Sequence, residues 1–159
     1  MADERDPGEP GETPKERADR ELTELLNEFR VVLPGITVMF GFLLAVPFAN
    51  GWKRTDEFQH DVFIAAFLAT GLAVAFLVAE TSYHRLRFRA GNKERLVRIG
   101  NVLGICGIAS FGVALVCVVL LVTDFVQGSR LASAATAIAA AIVLLLWYGL
   151  PLSDRLRGR

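Results

Sequence analysis

Four apolar stretches, Val31–Ala49, Val62–Ala79, Ile99–Val122 and Leu131–Leu150, take up about half of this 159-residue chain. Each approaches or exceeds the ~20 residues a helix needs to cross a bilayer. Backbone in lipid must satisfy its own hydrogen bonds, so the expected structure is all-α: a four-helix transmembrane bundle. The basic residues test that reading. Five Lys or Arg precede the first stretch, six lie between the second and third, and three follow the fourth, against two and one in the remaining connections. Fourteen of seventeen therefore share one side, which the positive-inside bias makes cytoplasmic. The first stretch is the weakest, interrupted by Pro34, Gly35 and Pro47, but leaving it out would regroup the basic residues eight against nine. The bias thus requires four spans and predicts a multi-pass protein of the cytoplasmic (inner) membrane with both termini inside.

Composition agrees. Hydrophobic residues make up 53% of the chain and the mean hydropathy is +0.42, too apolar for a soluble domain that also carries an acidic head. A formal net charge of zero conceals ten acidic and five basic residues before Val31, and a strongly basic connection between spans two and three. Fourteen Arg against three Lys, with abundant Ala, Val and Gly, matches the usage of a high-GC bacterium, by association only. The first apolar stretch lies too far from Met1, behind too acidic a leader, for a cleaved signal peptide, and is expected to remain as a span. Cys106 and Cys117 are eleven residues apart on span three. That is roughly 16 Å along a helix, beyond disulfide reach, so embedded apolar thiols are the expectation.

Residues 1–15, with Pro7, Pro10, Pro14, Gly8 and Gly11 among acids, read as a disordered acidic tail. Over residues 16–30, Leu22, Leu25, Leu26 and Phe29 recur at helical spacing and continue into Val32 and Leu33, predicting a juxtamembrane amphipathic helix that runs into the membrane. Pro34 leaves the Arg30 carbonyl without its helical donor, so a bend is expected there. Residues 31–152 form the four-span membrane domain and 153–159 a cytoplasmic tail. Between spans one and two, Asn50-Gly51 breaks the helix, Trp52 suits the headgroup region, and Thr55 followed by Asp56 and Glu57 reads as a helix N-cap with first-turn acids. The connection Thr123–Arg130 is short enough to force spans three and four into an antiparallel hairpin. Trp147 and Tyr148 suit an inner aromatic belt, and Pro151 limits the fourth helix.

Packing signals are clearer than chemical ones. Gly100, Gly104 and Gly107 share one face of span three, and the first two form a GxxxG pair that lets helix backbones approach closely. Span four carries small residues, Ala132 to Ala137, in its outer half and bulky ones, Leu144 to Tyr148, in its inner half. Antiparallel pairing of spans three and four would set large against small at both levels.

No catalytic, cofactor-binding or metal-ligating set is expected. The chain has no nucleophile elbow, Gly-rich phosphate loop or HExxH. Transport usually needs an ionisable group at depth, and here the polar residues at depth are Thr37, Thr70, Asn101, Ser110, Ser133 and Thr136. Glu80, at the inner end of span two, is the nearest ionisable candidate, with an interfacial acid near Arg85 as the alternative. His60 precedes span two and His84 follows it, so they face opposite sides and cannot share a site within one subunit. The best functional candidate is the basic connection: Arg85, Arg87, Arg89, Lys93, Arg95 and Arg98 are placed to hold anionic lipid headgroups, each contributing about 1 kcal/mol near a charged leaflet. The alternative is that they only set topology. A third reading docks the acidic helix, with Glu16, Asp19, Glu21, Glu24 and Glu28, onto this basic patch.

The run Glu24-Leu25-Leu26-Asn27-Glu28-Phe29-Arg30-Val31-Val32-Leu33-Pro34-Gly35, then Phe42-Leu43-Leu44-Ala45-Val46-Pro47-Phe48, then Tyr83-His84-Arg85 with Phe88-Arg89, and finally Trp147-Tyr148-Gly149-Leu150-Pro151-Leu152, resembles an uncharacterised bacterial family of four-span membrane proteins, a domain of unknown function. The resemblance covers about Glu21 to Leu152, and the chain departs from it in carrying Glu80-Thr81-Ser82 before Tyr83. It implies the four-helix topology and no activity, ligand or catalytic residue. The expectation is therefore a non-enzymatic membrane structural, regulatory or partner-binding protein. Its partners would be membrane lipids, a further copy of itself or another membrane protein, with no cofactor and no nucleic acid. The alternative is a subunit of a small oligomeric transporter or channel.

Overall fold

The computed structural model describes residues 14–87, 93–150 and 152–153, and near 14–29, 80–87 and 93–97 it describes mainly backbone. The tail expected over residues 1–15 falls outside these residues except for its last two, as does the C-terminal tail beyond Ser153. Among the described residues the fold is all-α. Helix α1 (Pro14–Ala45) is followed by two 3₁₀ turns, Val46–Phe48 and Asn50–Arg54, then by α2 (Glu57–Arg87), α3 (Lys93–Gln127) and α4 (Ser129–Leu144). The stretches long and apolar enough to cross a membrane are Arg30–Phe48, Glu57–Ala79, Arg98–Gln127 and Ser129–Gly149. Large apolar side chains, among them Val31, Phe42, Phe48, Ile138 and Leu145, face outward, an arrangement suited to a lipid surround.

The juxtamembrane segment and the first span are one element. Helix α1 runs for 32 residues, about 48 Å at 1.5 Å per residue, with no break in it at Pro34. One turn beyond the proline, Thr37 Oγ1 donates to the Leu33 carbonyl at 2.8 Å.

The helices meet along seams whose residues alternate four and three apart, the spacing of left-handed knobs-into-holes packing. On α2 the buried positions are Gln59, Phe63, Ala66, Thr70, Ala73 and Leu77. On α3 the seam is Gly100, Gly104, Gly107, Phe111, Ala114, Val118 and Leu121, buried or half-buried throughout. On α1 it is Val32, Ile36, Met39 and Leu43, continued by Val46 at the start of the first 3₁₀ turn. These stripes build two apolar clusters. Ile36, Ala73 and Leu77 form the one nearer the N-terminus, and Leu43, Phe63, Ala66 and Leu121 form the other. The Phe40 ring stacks on Phe67 with centroids 5.1 Å apart, fastening α1 to α2 beside the seam.

Helix α4 stands to one side. Among the described residues it packs against α3 and touches neither α1 nor α2, so the bundle is open and α3 is its central helix. The α3–α4 connection is tighter than the expected Thr123–Arg130 loop. It is the single residue Gly128, whose N–H donates to the Asp124 carbonyl and whose carbonyl accepts from Ala132 N–H. Gly128 adopts φ 81° and ψ 169°, a conformation open in practice only to glycine. At the other end of α4 the helix widens over Leu145–Gly149, where the Leu150 N–H reaches back five residues to the Leu145 carbonyl. Pro151 follows, and with no N–H it cannot serve the Trp147 carbonyl.

The glycine face of α3 has a different partner from the one expected. A Cβ added at Gly107 would lie 2.9 Å from Leu77 Cγ and 3.5 Å from the Ala73 carbonyl oxygen, so Gly107 packs on α2. Helix α4 is met instead by Gly112, where a Cβ would come within 3.1 Å of Val143 Cγ1 and 3.2 Å of the Trp147 ring. Large against small is realised there, with the Phe111 and Trp147 rings stacked at 6.0 Å alongside. The hairpin register explains the shift. Gly112 sits between Val143 and Trp147, and five residues further along each helix Gly107 is level with Leu150, already past α4 and the Leu145–Gly149 turn. Gly100 and Gly104, both buried, lie past α4 on the face that Gly107 turns toward α2.

Candidate functional site

Polar chemistry gathers at the two ends of the array. The first gathering is where the α1–α2 and α3–α4 connections lie. Helix α2 is capped there by Asp56, not by Thr55 as the sequence reading had it. Asp56 Oδ1 accepts from the Gln59 N–H at 2.8 Å, and Gln59 Oε1 accepts from the Asp56 N–H at 3.3 Å. This reciprocal pairing is a capping box, read in sequence as Asp56-Glu57-Phe58-Gln59. The other end of the same amide, Gln59 Nε2, donates to Asp124 Oδ2 on α3 at 2.8 Å.

Thr55, freed from capping, does something else. Its Oγ1 lies 2.6 Å from the Trp52 carbonyl and 2.9 Å from His60 Nε2. A hydroxyl has one proton and a carbonyl can only accept, so the Thr55 proton belongs to Trp52. His60 Nε2 must then carry a hydrogen and donate it to Oγ1, which fixes the tautomer of the neutral ring. The Trp52 ring covers this contact, with centroids 4.4 Å from His60 and 4.9 Å from Phe63. On the other side of the turn, Gly51 admits the Phe125 ring, which would stand 3.3 Å from an added Cβ. The cluster therefore holds together the connection and the ends of α2 and α3, with the Gln59 amide used at both ends. Sequence reasoning passed over it. The Asp-x-x-Gln box was legible, but the link to Asp124 depends on the α2–α3 register.

The second gathering is the basic connection. Arg85 and Arg87 occupy the last turn of α2, Lys93 and Arg95 the first turn of α3, and Arg98 is exposed at the start of the third apolar stretch; Arg89 lies outside the described residues. The hairpin thus brings five of the six named residues to the adjoining ends of two helices. On α1, Arg20 pairs with Glu24 at 3.1 Å, an exposed contact one turn apart. Exposed pairs of this kind contribute only ~0.2–1 kcal/mol.

The interior offers little for chemistry. Thr70 is fully buried, and its hydroxyl donates to the Ala66 carbonyl at 2.7 Å. Ser110, Thr136 and Ser133 likewise donate to carbonyls of their own helices, at Cys106, Ala132 and Arg130. These protons are committed within single helices, as lipid requires. Asn101 is exposed, and both cysteines are free and half-buried. The side chains of Glu80 and His84 lie outside the described residues; His60 and His84 fall in the first and last turns of α2, at opposite ends of the array. Among the described residues no group of three or more His, Cys, Asp or Glu is placed to hold a metal ion.

Searches of curated proteins and of solved structures return no match to this chain. A family model does match, over residues 11–151, taking in all four apolar helices and reaching further into the acidic segment than the resemblance read from Glu21 onward. On that match the chain belongs to the family of unknown function DUF6328.

Proposed function

We propose that this chain is a multi-pass integral protein of the cytoplasmic membrane, with both termini inside and a non-enzymatic role. Its basic connection holds anionic lipid headgroups, and the acidic part of α1 competes for the same charges. The observation that carries this reading is charge placement. Arg85, Arg87, Lys93, Arg95 and Arg98 sit at the adjoining ends of α2 and α3, at the same end of the array as Glu16, Asp19, Glu21, Glu24 and Glu28 of α1. Near an anionic leaflet each Lys or Arg contributes about 1 kcal/mol, enough in combination to hold lipid, and salt weakens it.

The test is lipid retention. Purified protein is exchanged into nanodiscs of phosphatidylcholine with a minority of phosphatidylglycerol, and the lipids that remain bound after extraction in mild detergent are weighed by native mass spectrometry. Retained phosphatidylglycerol should be enriched over its share of the disc, and the variant Arg85→Gln, Arg87→Gln, Arg89→Gln should lose most of the enrichment. Equal retention by the two chains would leave the connection as a topology signal only.

A further inference from the structure

The seam of α1 does not stop where the apolar span stops. Continued toward the N-terminus from Val46, Leu43, Met39, Ile36 and Val32, the same alternation of three and four reaches Phe29, Leu25 and Leu22 without a break. The next two positions are Ala18 and Lys15, so the large apolar residues end at Leu22. Eight residues of α1 outside Arg30 therefore carry the pattern that, within the span, packs on the rest of the array.

The partner follows from the register. The Phe40 ring stacks on Phe67 and stands 3.9 Å from a Cβ built on Gly71, so Phe40 is level with residue 69 of the antiparallel α2. The apolar clusters agree, joining Ile36 with Ala73 and Leu43 with Ala66. Counting equal steps along both helices makes Arg30 level with Ala79, the residues at which both apolar stretches end. The same count makes Leu25 level with His84 and Leu22 level with Arg87, the last residue of α2. The apolar seam of α1 thus ends at the height where α2 ends.

We infer that α1 and α2 continue as a two-helix zipper for two turns beyond their apolar stretches, so that α1 covers one face of the Tyr83–Arg87 end of α2. Three observations favour α2 of the same chain as occupant over a second copy. The seam is continuous with the α1–α2 interface already formed, the apolar seam outside Arg30 (22–29) and the end of α2 outside Ala79 (80–87) are equally long, and the first carries Glu24 and Glu28 where the second carries Arg85 and Arg87. Glu21 and Glu28 flank the α1 seam, and Glu21 falls within one residue of the level of Arg87. The inference rests on the docking of the acidic helix proposed above and gives it a register. One face of the basic segment is then reserved for α1, and anionic lipid must reach Arg85 and Arg87 from the other.

Cysteine pairs in the full chain, with Cys106→Ser and Cys117→Ser, test this in native membranes. Leu25→Cys with His84→Cys should crosslink several-fold more than Asn27→Cys with His84→Cys, because Asn27 is exposed on the far face of α1. Leu22→Cys with Arg87→Cys serves as an independent second pair. Glu21→Arg should lower the Leu25–His84 yield, and adding Arg87→Glu should restore it. Equal yields for the seam and off-seam pairs, or no crosslink in either seam pair, would overturn the zipper. Adding phosphatidylglycerol vesicles separates the two proposals: seam crosslinks that are unaffected keep the zipper and remove the competition with lipid.

Discussion

Gln59 Nε2 donates to Asp124 Oδ2 at 2.8 Å, joining the first turn of α2 to the last turn of α3 across 65 residues of chain. The same glutamine closes the capping box with Asp56, and it is 8% exposed. One side chain therefore ends a helix and ties that helix to its neighbour. The tie stands well away from Gly107 and Leu77 along the α2–α3 interface, the most extensive between any two helices among the described residues, so that interface is fixed at two separated points.

Removing the acceptor should be costly. Asp124→Ala strips the acceptor from an amide that water hardly reaches, a loss of about 1–3 kcal/mol. Asp124→Asn keeps an oxygen that can accept and should lose less. Gln59→Leu should lose at least as much as Asp124→Ala, since the bond from Asp56 N–H to Gln59 Oε1 goes with the tie. Thermal midpoints in a mild detergent provide the comparison. A midpoint for Asp124→Ala equal to that of the unmodified chain would show that the bridge carries no stability.

The glycines of α3 should separate by partner. Gly107→Ala drives a methyl against Leu77, and overpacking of this kind costs ~1–3 kcal/mol. Leu77→Ala opens the space, so the double variant should lose less than the two single losses combined. Gly112→Ala meets Val143 and Trp147 instead and should show no such relief with Leu77→Ala. Gly35→Ala has nothing within 4 Å and should be neutral or gain slightly, as alanine suits a helix better. Additivity at Gly107 and coupling at Gly112 would reverse the packing assignment.

Gly128 is the whole of the α3–α4 connection, at φ 81° and ψ 169°. A side chain there is strained, so Gly128→Ala should cost about 1–3 kcal/mol although nothing lies within 4 Å of the added carbon. The loss should therefore persist whatever the size of the new residue, with Gly128→Ser close to Gly128→Ala. A stability that falls steadily with side-chain volume would point to crowding instead of backbone strain.

The number and order of the helices were legible because apolar length and the sign of the intervening charges are one-dimensional signals. The site at the connections was legible only in part. Asp56 and Gln59 are three residues apart and could be read as a cap, whereas Asp124 meets Gln59 only once α2 and α3 are in register. Spans three and four do pack together as expected, but Gly107 meets α2 where α4 was expected, for the same reason. Gly100, Gly104 and Gly107 announce close approach without saying to which helix, and the choice of α2 follows from how far α4 reaches. The α1 seam shows the converse. Leu22, Leu25 and Phe29 are legible in sequence as a stripe that continues into Val32 and Leu33, and the helix unbroken at Pro34 carries the same alternation on to Ile36.

The orientation across the membrane is the prediction on which the lipid and zipper proposals both depend. Fourteen of seventeen basic residues lie before the first apolar stretch, between the second and third, or after the fourth. That bias orients such chains with these segments inside. A reporter active only outside the cytoplasm should be silent when fused after Arg20, Arg89 or Arg159, and active when inserted near Arg54. The Arg54 site is the demanding one, because it lies in the clasp formed by Trp52, Thr55 and His60, and an insertion there could unfold the connection. Cysteine labelling at Lys53, exposed beside Trp52, supplies the check without an insertion. A membrane-impermeant maleimide should label Lys53→Cys in intact cells and should not label Arg98→Cys until the membrane is opened. Labelling of Arg98→Cys in intact cells would invert the topology and place the basic connection on the wrong side for an anionic inner leaflet.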